Sequence, residues 1–226
     1  MDRAETGDRR VFLTRLRRRL ATPAPENPAH PLPPLPAAVP EVHSRHLDPD
    51  DLIGSFERAA TAASAEVHRV AGNAVPDDLL ADLVMRYDIR SAVVSAEPEA
   101  AEVGRALEAL GVTVESLSIE AAAGADLGVT SATYGFATTG SVVQESDVAG
   151  GRTASLLPPV HLCVLPADRL VPSTAALLRT LGAPGRLPSN LVVITGPSRS
   201  GDIEQIITLG VHGPTALHIA LLEAGA

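Results

Sequence analysis

Residues 190–214 combine a short apolar strand with several groups suited to binding an anion. Residues 191–195 predict a buried strand, and a helix is predicted to begin near Asp202 and to end at Gly210. The binding groups between them are Thr195, Ser198, Arg199, Ser200 and Gly201. Backbone N–H groups and the helix dipole favour negative charge at a helix N-terminus, so this segment predicts a site for a small anion. Capping of the helix by Ser200 or Asp202 also explains the serines without a ligand.

Three residues outside the loop 195–201 could also bind an anion or transfer a proton. The guanidinium group of Arg152, in a polar loop, suits bidentate binding of a carboxylate or phosphate, or else a salt bridge that holds the loop. His161 begins the apolar strand 160–165 and is a candidate general base, although a hydrogen-bonded core histidine is the commoner case. His212, in the turn after Gly210, is expected to line the same cleft, which we place at the carboxyl ends of the strands. Gly140 and Ser141 are expected to add backbone N–H donors.

Composition excludes several classes of chemistry. All 18 basic residues are arginine, so lysine Schiff bases and a Walker-type phosphate lysine are excluded. Cys163 is the only cysteine and lies in an apolar run, which favours a buried structural thiol and excludes an iron–sulfur cluster held by this chain alone. His161, His212 and His218 with Asp202 match no metal-binding spacing, so no metal site is predicted. A net charge of −9 and 2% aromatic residues disfavour binding of nucleic acid.

Charge and proline content divide the chain into three parts. Residues 1–21 are rich in arginine and predict a basic amphipathic helix or tail, which would dock on an acidic partner or on this protein's own acidic body. Residues 22–47 predict an extended proline-rich linker, and residues 48–226 predict one α/β domain. No apolar run approaches the roughly 20 residues of a membrane span and no signal peptide is recognised, so a cytoplasmic protein is expected.

Within the α/β domain the pattern predicts alternating helices and strands. The predicted helices are 48–70, 76–87, 97–110 and 168–181, besides the one after Asp202. The predicted strands are 91–95, 112–117, paired strands within 129–144, 160–165, 191–195 and a closing strand at 217–222.

Several runs of residues resemble the LUD-domain family. They lie at 128–143, 152–161, 195–204 and 210–214, and include Ser-Leu-Leu-Pro-Pro at 155–159 and Thr-Gly-Pro-Ser-Arg at 195–199. The resemblance implies a three-layer α/β/α sandwich of the NagB, ribose-isomerase (RpiA) and CoA-transferase type. It also implies a role in the oxidation of L-lactate to pyruvate, as an accessory subunit beside separate iron–sulfur subunits that would hold the clusters. Because this chain has a single cysteine and no flavin or dinucleotide fingerprint, we expect it to hold no cofactor and to bind a small anionic metabolite or a partner in its cleft.

One position departs from the family pattern. Where relatives carry glutamate in Ala-Glu-Thr-Gly-Thr, this chain has Thr138, which cannot act as a base or nucleophile at neutral pH. Glu145 is the nearest carboxylate that follows. The catalytic candidates are therefore Glu145, His161 and His212. Two alternatives to the accessory subunit remain open at this point: a CoA-transferase-like enzyme with Glu145 as nucleophile, and a regulatory module that senses a metabolite.

Overall fold

The computed structural model describes residues 47–146, 151–181, 190–201, 207–209 and 213–223, together with the helical residues Val11, Thr14 and Arg18. The chain divides into two compact units, Met1–His43 and Ser44–Ala226. Residues 22–46 of the predicted linker lie outside the described ranges. Among the helices of those ranges, none is long and apolar enough to cross a membrane.

The larger unit alternates helices and strands through most of its length. Its helices are α1 (Leu52–Ala62), α2 (Asp77–Tyr87), α3 (Pro98–Ala109), α4 (Ile119–Gly124), α5 (Thr153–Leu156) and α6 (Thr174–Leu181). Its strands are β1 (Glu66–Ala71), β2 (Ser91–Val94), β3 (Thr113–Glu115), β4 (Leu127–Ser131), β5 (Tyr134–Phe136), β6 (Ser141–Glu145), β7 (Val160–Pro166), β8 (Leu170–Val171), β9 (Leu191–Ile194), β10 (Arg199–Gly201), β11 (Ile207–Leu209) and β12 (Ala216–Glu223). A 3-10 turn, Ala167–Arg169, joins β7 to β8.

Six strands form a fully parallel sheet in the order β1-β12-β7-β4-β2-β3. The central strands β7 and β12 are buried along almost their whole length. Their nearly continuous apolar sequences are typical of a parallel sheet covered on both faces. The closing strand β12 lies inside the sheet, because it pairs with β1 on one side and with β7 on the other.

Alternation along β12 divides the core between the two faces of the main sheet. Ala220 and Leu222 pack in a cluster with residues of α2 and α3. Leu217, Ile219 and Leu221 pack in another cluster with α1 and with a second sheet of order β8-β5-β6-β9. Helices α4 and α5 cover the same face of the main sheet as this second cluster, where they pack against β2. The predicted α/β architecture, a parallel sheet with helices on both faces, is therefore confirmed.

Most predicted elements are confirmed, but the first helix was predicted too long. Helices 76–87 and 97–110 and strands 91–95, 112–117 and 160–165 appear with small shifts of their ends. The helix predicted over 48–70 ends at Ala62, and Ser64 has a positive φ of 68°. Residues 66–71 then form β1, since pairing with β12 supplies the backbone hydrogen bonds that alanine content alone does not reveal.

The helix predicted over 168–181 begins six residues later. Pro172 lies within that span, and the residue before a proline disfavours helical backbone angles. The chain instead makes the 3-10 turn and β8, which pairs in parallel with β5. Helix α6 then starts at Thr174. The paired strands predicted within 129–144 are β5 and β6, whereas β4 belongs to the main sheet.

The turn between β5 and β6 depends on the absence of a side chain at Gly140. This residue has a φ of 63°, and a Cβ there would lie 2.0 Å from the backbone nitrogen of Ala60 in α1. Gly140→Ala should therefore lower the free energy of unfolding by about 2–4 kcal/mol, through backbone strain and overpacking. Urea unfolding measures this change. Gly124→Ala is the matched control, because nothing lies within 4 Å of its added Cβ. Equal effects of the two substitutions would contradict the tight contact.

Candidate functional site

The segment predicted as an anion-binding strand, loop and helix has a different structure. Strand β9 pairs with β6 in the second sheet, and it is half-buried, with Val193 49% exposed. Ile207–Leu209, predicted as helix, forms β11 and pairs antiparallel with β10. The helix prediction is wrong there because the β-branched Ile207 and Thr208 meet a strand partner, Arg199–Gly201. Asp202 lies outside the described residues. Within the described ranges no helix follows Arg199–Gly201, so the helix-dipole argument for an anion has no support there.

The loop of Arg199 packs against the end of α1. The exposed Arg199 donates a hydrogen bond from its guanidinium group to the Ser64 hydroxyl. Gly196 has a φ of 72°, and a Cβ there would lie 2.1 Å from the carbonyl oxygen of Ala63. The backbone N–H of Ser198 donates to the Pro214 carbonyl at 2.9 Å. Tight backbone packing therefore explains much of this motif.

Two of the sequence motifs meet through hydroxyl groups. The Oγ of buried Ser141 lies 2.7 Å from Thr195 Oγ1 and 2.6 Å from Thr139 Oγ1. This contact joins the turn after β5 to the end of β9. Ser141 thus lies beside the loop of Arg199, and the shared anion site predicted for these residues stays a prediction. Of Ser200 and Gly201 only the backbone is described, in β10, and His212 lies outside the described residues.

Arg152 and His161 lie on or beneath α5. Arg152 is exposed at the start of this helix, and within the described ranges it forms no ion pair. The helix packs closely on β4, since a Cβ at Gly128 would lie 1.8 Å from the Ala154 carbonyl oxygen. His161 is fully buried, and its Nε2 lies 2.8 Å from Thr130 Oγ1. Its Nδ1 has no hydrogen-bond partner among the described residues.

These motif segments gather at the amino edge of the main sheet. Ser64, the partner of Arg199, comes just before β1, and Pro214, the partner of Ser198, comes just before β12. The backbone N–H of Thr215 donates to the carbonyl of Pro159, one residue before β7. We expected the cleft at the carboxyl ends, so the placement of these segments differs from that expectation. Ligands in open α/β sheets bind at the carboxyl edge.

Glu145 does not occupy the space of the glutamate that Thr138 replaces. Thr138 lies in the turn of the β5–β6 hairpin, and its N–H donates to the carbonyl of Pro172. Glu145 is the last residue of β6, at the open end of the hairpin, where it pairs with Leu191. Strand β6 spans about 14 Å from Ser141 to Glu145 at the usual rise per residue. A nucleophilic glutamate at the family position is therefore not restored by Glu145.

Buried polar groups without partners lie at the carboxyl edge, where β2 and β4 meet. The strand that follows β2 in sequence, β3, lies on one side of this position, and the strands that follow β4 in the main sheet, β7 and β12, lie on the other side. This reversal of direction defines the switch point of the sheet. Ser95 and Glu97 follow β2 and are 3% and 7% exposed. Neither Ser95 Oγ nor Glu97 Oε2 has a hydrogen-bond partner in the part of the chain that the structure describes. Such unsatisfied buried atoms mark a candidate ligand position.

Arg169 and Glu99 form an ion pair at the same edge. The guanidinium group of Arg169 contacts one Glu99 oxygen and donates from Nη1 to the Ala132 carbonyl at 2.9 Å and to Ser131 Oγ at 3.2 Å. Burial raises the pKa of Glu99, but its own backbone N–H, Arg169 and Ser131 together hold that pKa below its usual range. Contacts with the described residues use at most three of the five N–H groups of Arg169, so in this part of the structure the others are available to a ligand.

A cleft of about 460 Å³ opens beside this ion pair. Its polar lining comprises Asn73, Glu99, Asp168, Arg169 and Glu223. Glu223 is itself bound by Arg69, with Nε–Oε1 and Nη2–Oε2 distances of 2.6 and 2.9 Å. The two arginines balance two of the three carboxylates. This cleft is not predicted from the sequence, because its polar residues come from four separate segments of the chain and form no local motif.

The burial of His161 predicts a dependence of stability on pH. Burial lowers the pKa of His161 to about 3, from 6.5 in the unfolded chain. As pH falls below 6.5 the unfolded state takes up the proton first, so stability is full above that pH and falls as the pH decreases toward 3. From pH 7.5 to 5.0 this histidine should cost about 2 kcal/mol.

Urea unfolding of the wild-type protein and of His161→Gln at both pH values measures this contribution. The variant should lose about 2 kcal/mol less on acidification. An identical pH dependence in the two proteins would rule out His161 as the source.

Comparison with known proteins identifies the family. The LUD domain matches residues 53–222 of this chain. Lactate utilization protein C of Halalkalibacterium halodurans is 44% identical over 100 residues, which cover 42% of this chain and 44% of that protein. In this comparison the chain thus spans less than half of its relative. Lactate utilization protein C of Oceanobacillus iheyensis is 27% identical over 180 residues, which cover 73% of this chain and 77% of that protein.

A solved structure supports the fold. The crystal structure of a DUF162 family protein from Deinococcus radiodurans superposes with a TM-score of 0.55 at 20% identity, covering 78% of this chain and 99% of that one. At this identity the likeness concerns the fold alone. The family match extends from α1 to β12 and includes the main sheet, the second sheet and every residue that lines the carboxyl-edge cleft except Glu223. The chain therefore belongs to the LUD domain family.

Proposed function

We propose that this protein is an accessory subunit of a cytoplasmic system that oxidises L-lactate to pyruvate and works with separate iron–sulfur subunits. The observation that carries the proposal is the match to relatives named lactate utilization protein C, which reaches 77% of the length of one of them. Oxidation of lactate releases two electrons, and this chain has one cysteine, Cys163, which is fully buried. Clusters need several thiolates, so the electrons pass to partner subunits.

In this proposal the carboxyl-edge cleft binds the small carboxylic acid. Arg169 keeps free N–H donors for a carboxylate, and its hold on Ser131 and Ala132 fixes the guanidinium plane. Asn73 and Asp168 line the same cleft and offer partners to a 2-hydroxyl or 2-oxo group. Since three carboxylates line the cleft, we expect weak binding. An acidic cleft also suits a basic segment of a partner subunit, which is the competing occupant.

Deletion of the gene tests the role of the subunit. Cells without it should lose growth on L-lactate and keep growth on pyruvate, and the wild-type gene should restore the loss. A tagged chain should co-purify with the iron–sulfur subunits from lactate-grown cells. Unchanged lactate oxidation in the deletion strain would refute the accessory role.

Substitution of Arg169 tests the cleft. Arg169→Gln should weaken binding of lactate and pyruvate, measured by calorimetry, by about tenfold or more, because a charge-assisted bidentate contact is lost. Arg90→Gln is the matched control, since Arg90 pairs with Asp88 at an exposed position. Arg152→Gln and Arg199→Gln test the anion site first expected from the sequence. Loss of binding in these two variants, with Arg169→Gln unaffected, would move the site to the amino edge.

Substitution of Cys163 tests whether the thiol takes part in the chemistry. Burial raises the pKa of the Cys163 thiol to about 12, so it stays protonated at neutral pH and is a poor nucleophile. Cys163→Ala should therefore support full lactate oxidation in the deletion strain, at the cost of a small loss of stability. Abolished oxidation by a variant that remains folded would show that the thiol reacts.

A further inference from the structure

Three potential metal ligands meet at the edge of the main sheet. Glu66 and His68 lie two residues apart on β1 and so share a face, and Glu66 pairs directly with His218 of β12. One donor atom from each of the three residues lies within 4.8 Å of the other two. His68 and His218 are 150 residues apart, so no local spacing in the sequence predicts the cluster. His161 faces the opposite side of the sheet, since it pairs with Leu217.

The distances suit a tetrahedral ion. His68 Nε2 and His218 Nδ1 lie 3.0 Å apart, and His218 Nδ1 lies 3.8 Å from Glu66 Oε2. In a tetrahedral zinc site with bonds of about 2.0–2.1 Å, neighbouring ligand atoms are about 3.3 Å apart. The two distances lie on either side of this value. Shifts of a few tenths of an ångström would thus bring both of these pairs to the tetrahedral spacing, and the third pair, Glu66 and His68, lies within 4.8 Å.

Further contacts orient the ligands. His218 Nε2 lies 3.0 Å from the hydroxyl of Tyr87, which leaves Nδ1 directed toward His68. Arg86 binds both oxygens of Glu66 at 2.7 Å. Each carboxylate oxygen has two lone pairs, so Oε2 keeps one for a metal. Partners of this kind on the far side of a ligand are typical of metal sites and fix the tautomer of the histidine.

Charged side chains around the cluster affect how favourably it binds a cation. Glu66 and Asp82 contribute negative charge and Arg86 contributes positive charge. Burial lowers the pKa of His218 to about 4 and also lowers the pKa of His68. Both imidazoles are therefore neutral at pH 7, which is the form that binds metals. The side chain of His218 is fully buried, whereas Glu66 is 44% exposed, which leaves a path for an ion.

We propose that Glu66 Oε2, His68 Nε2 and His218 Nδ1 bind a divalent transition metal, with zinc as the representative ion. A water molecule completes the tetrahedron. The ring that carries the proton between the two facing nitrogens changes tautomer and holds that proton on its other nitrogen, so both imidazoles bind in the neutral form. The ion joins the edge strand β1 to β12. This site is separate from the carboxyl-edge cleft and does not depend on the proposed function.

Titration of the metal-free full chain with Zn²⁺ tests the proposal. At pH 7.5 calorimetry should show one tight site per chain, and Zn²⁺ should raise the melting temperature. Co²⁺ should give the visible absorption of a tetrahedral nitrogen–oxygen site. Absence of binding, or binding without the tetrahedral Co²⁺ spectrum, would overturn the proposal.

Variants distinguish this site from other histidines of the chain. Glu66→Gln and His68→Ala should each weaken Zn²⁺ binding by more than about tenfold, because removal of a ligand costs at least as much as removal of a ligand's partner. Glu223→Gln is the matched control, since Glu223 is also bound bidentately by an arginine, Arg69, but has no histidine beside it in the described structure. Circular dichroism establishes that each variant is folded. Unchanged affinity in both folded ligand variants would overturn the proposal.

Discussion

The pairing of β12 with both β1 and β7 is the constraint on which the rest of the structure depends. Without β12 the strand β1 has no neighbour in the main sheet, because the order runs β1-β12-β7. This ladder joins Glu66–Ala71 to Ala216–Glu223, two segments from opposite ends of the domain. Its register also decides which residues face each layer, since a shift by one residue would exchange the two faces. The core clusters and the side-chain clusters at both ends of the ladder follow from that register.

Close backbone contacts allow helices α1 and α5 to pack directly on the strands and turns beside them. Added Cβ atoms at Gly128, Gly140 and Gly196 would lie within 2.1 Å of backbone atoms of α5, α1 and the end of α1. All three glycines belong to the runs that resemble the LUD-domain family. Part of that resemblance therefore records how helices approach strands, and does not by itself identify a binding site. The polar residues beside these glycines, such as Ser141 and Thr195, satisfy one another through hydroxyl contacts.

The sequence predicts the fold better than the site, for a physical reason. Helix caps and apolar runs are local, so α2, α3 and β7 were predicted almost to the residue. The helix prediction after Asp202 is wrong at Ile207–Leu209, because pairing with a neighbouring strand outweighs the local helical pattern of these residues. The helix predicted over 48–70 is too long because its last residues form β1, whose partner strand β12 lies about 150 residues away in the sequence. The cleft around Arg169 and the cluster at His218 also arise from distant segments, and no spacing in one stretch of sequence contains that information.

The metal-ligand cluster lies at the amino end of the β1–β12 strand pair, and the cleft lies at its carboxyl end. Glu66 binds Arg86 at the amino end, and Glu223 binds Arg69 at the carboxyl end. These pairs are half-exposed, and exposed ion pairs contribute little to stability, so the ladder and its apolar packing hold the edge strand. A ligand at either end that binds only the folded protein stabilises the same strand pair.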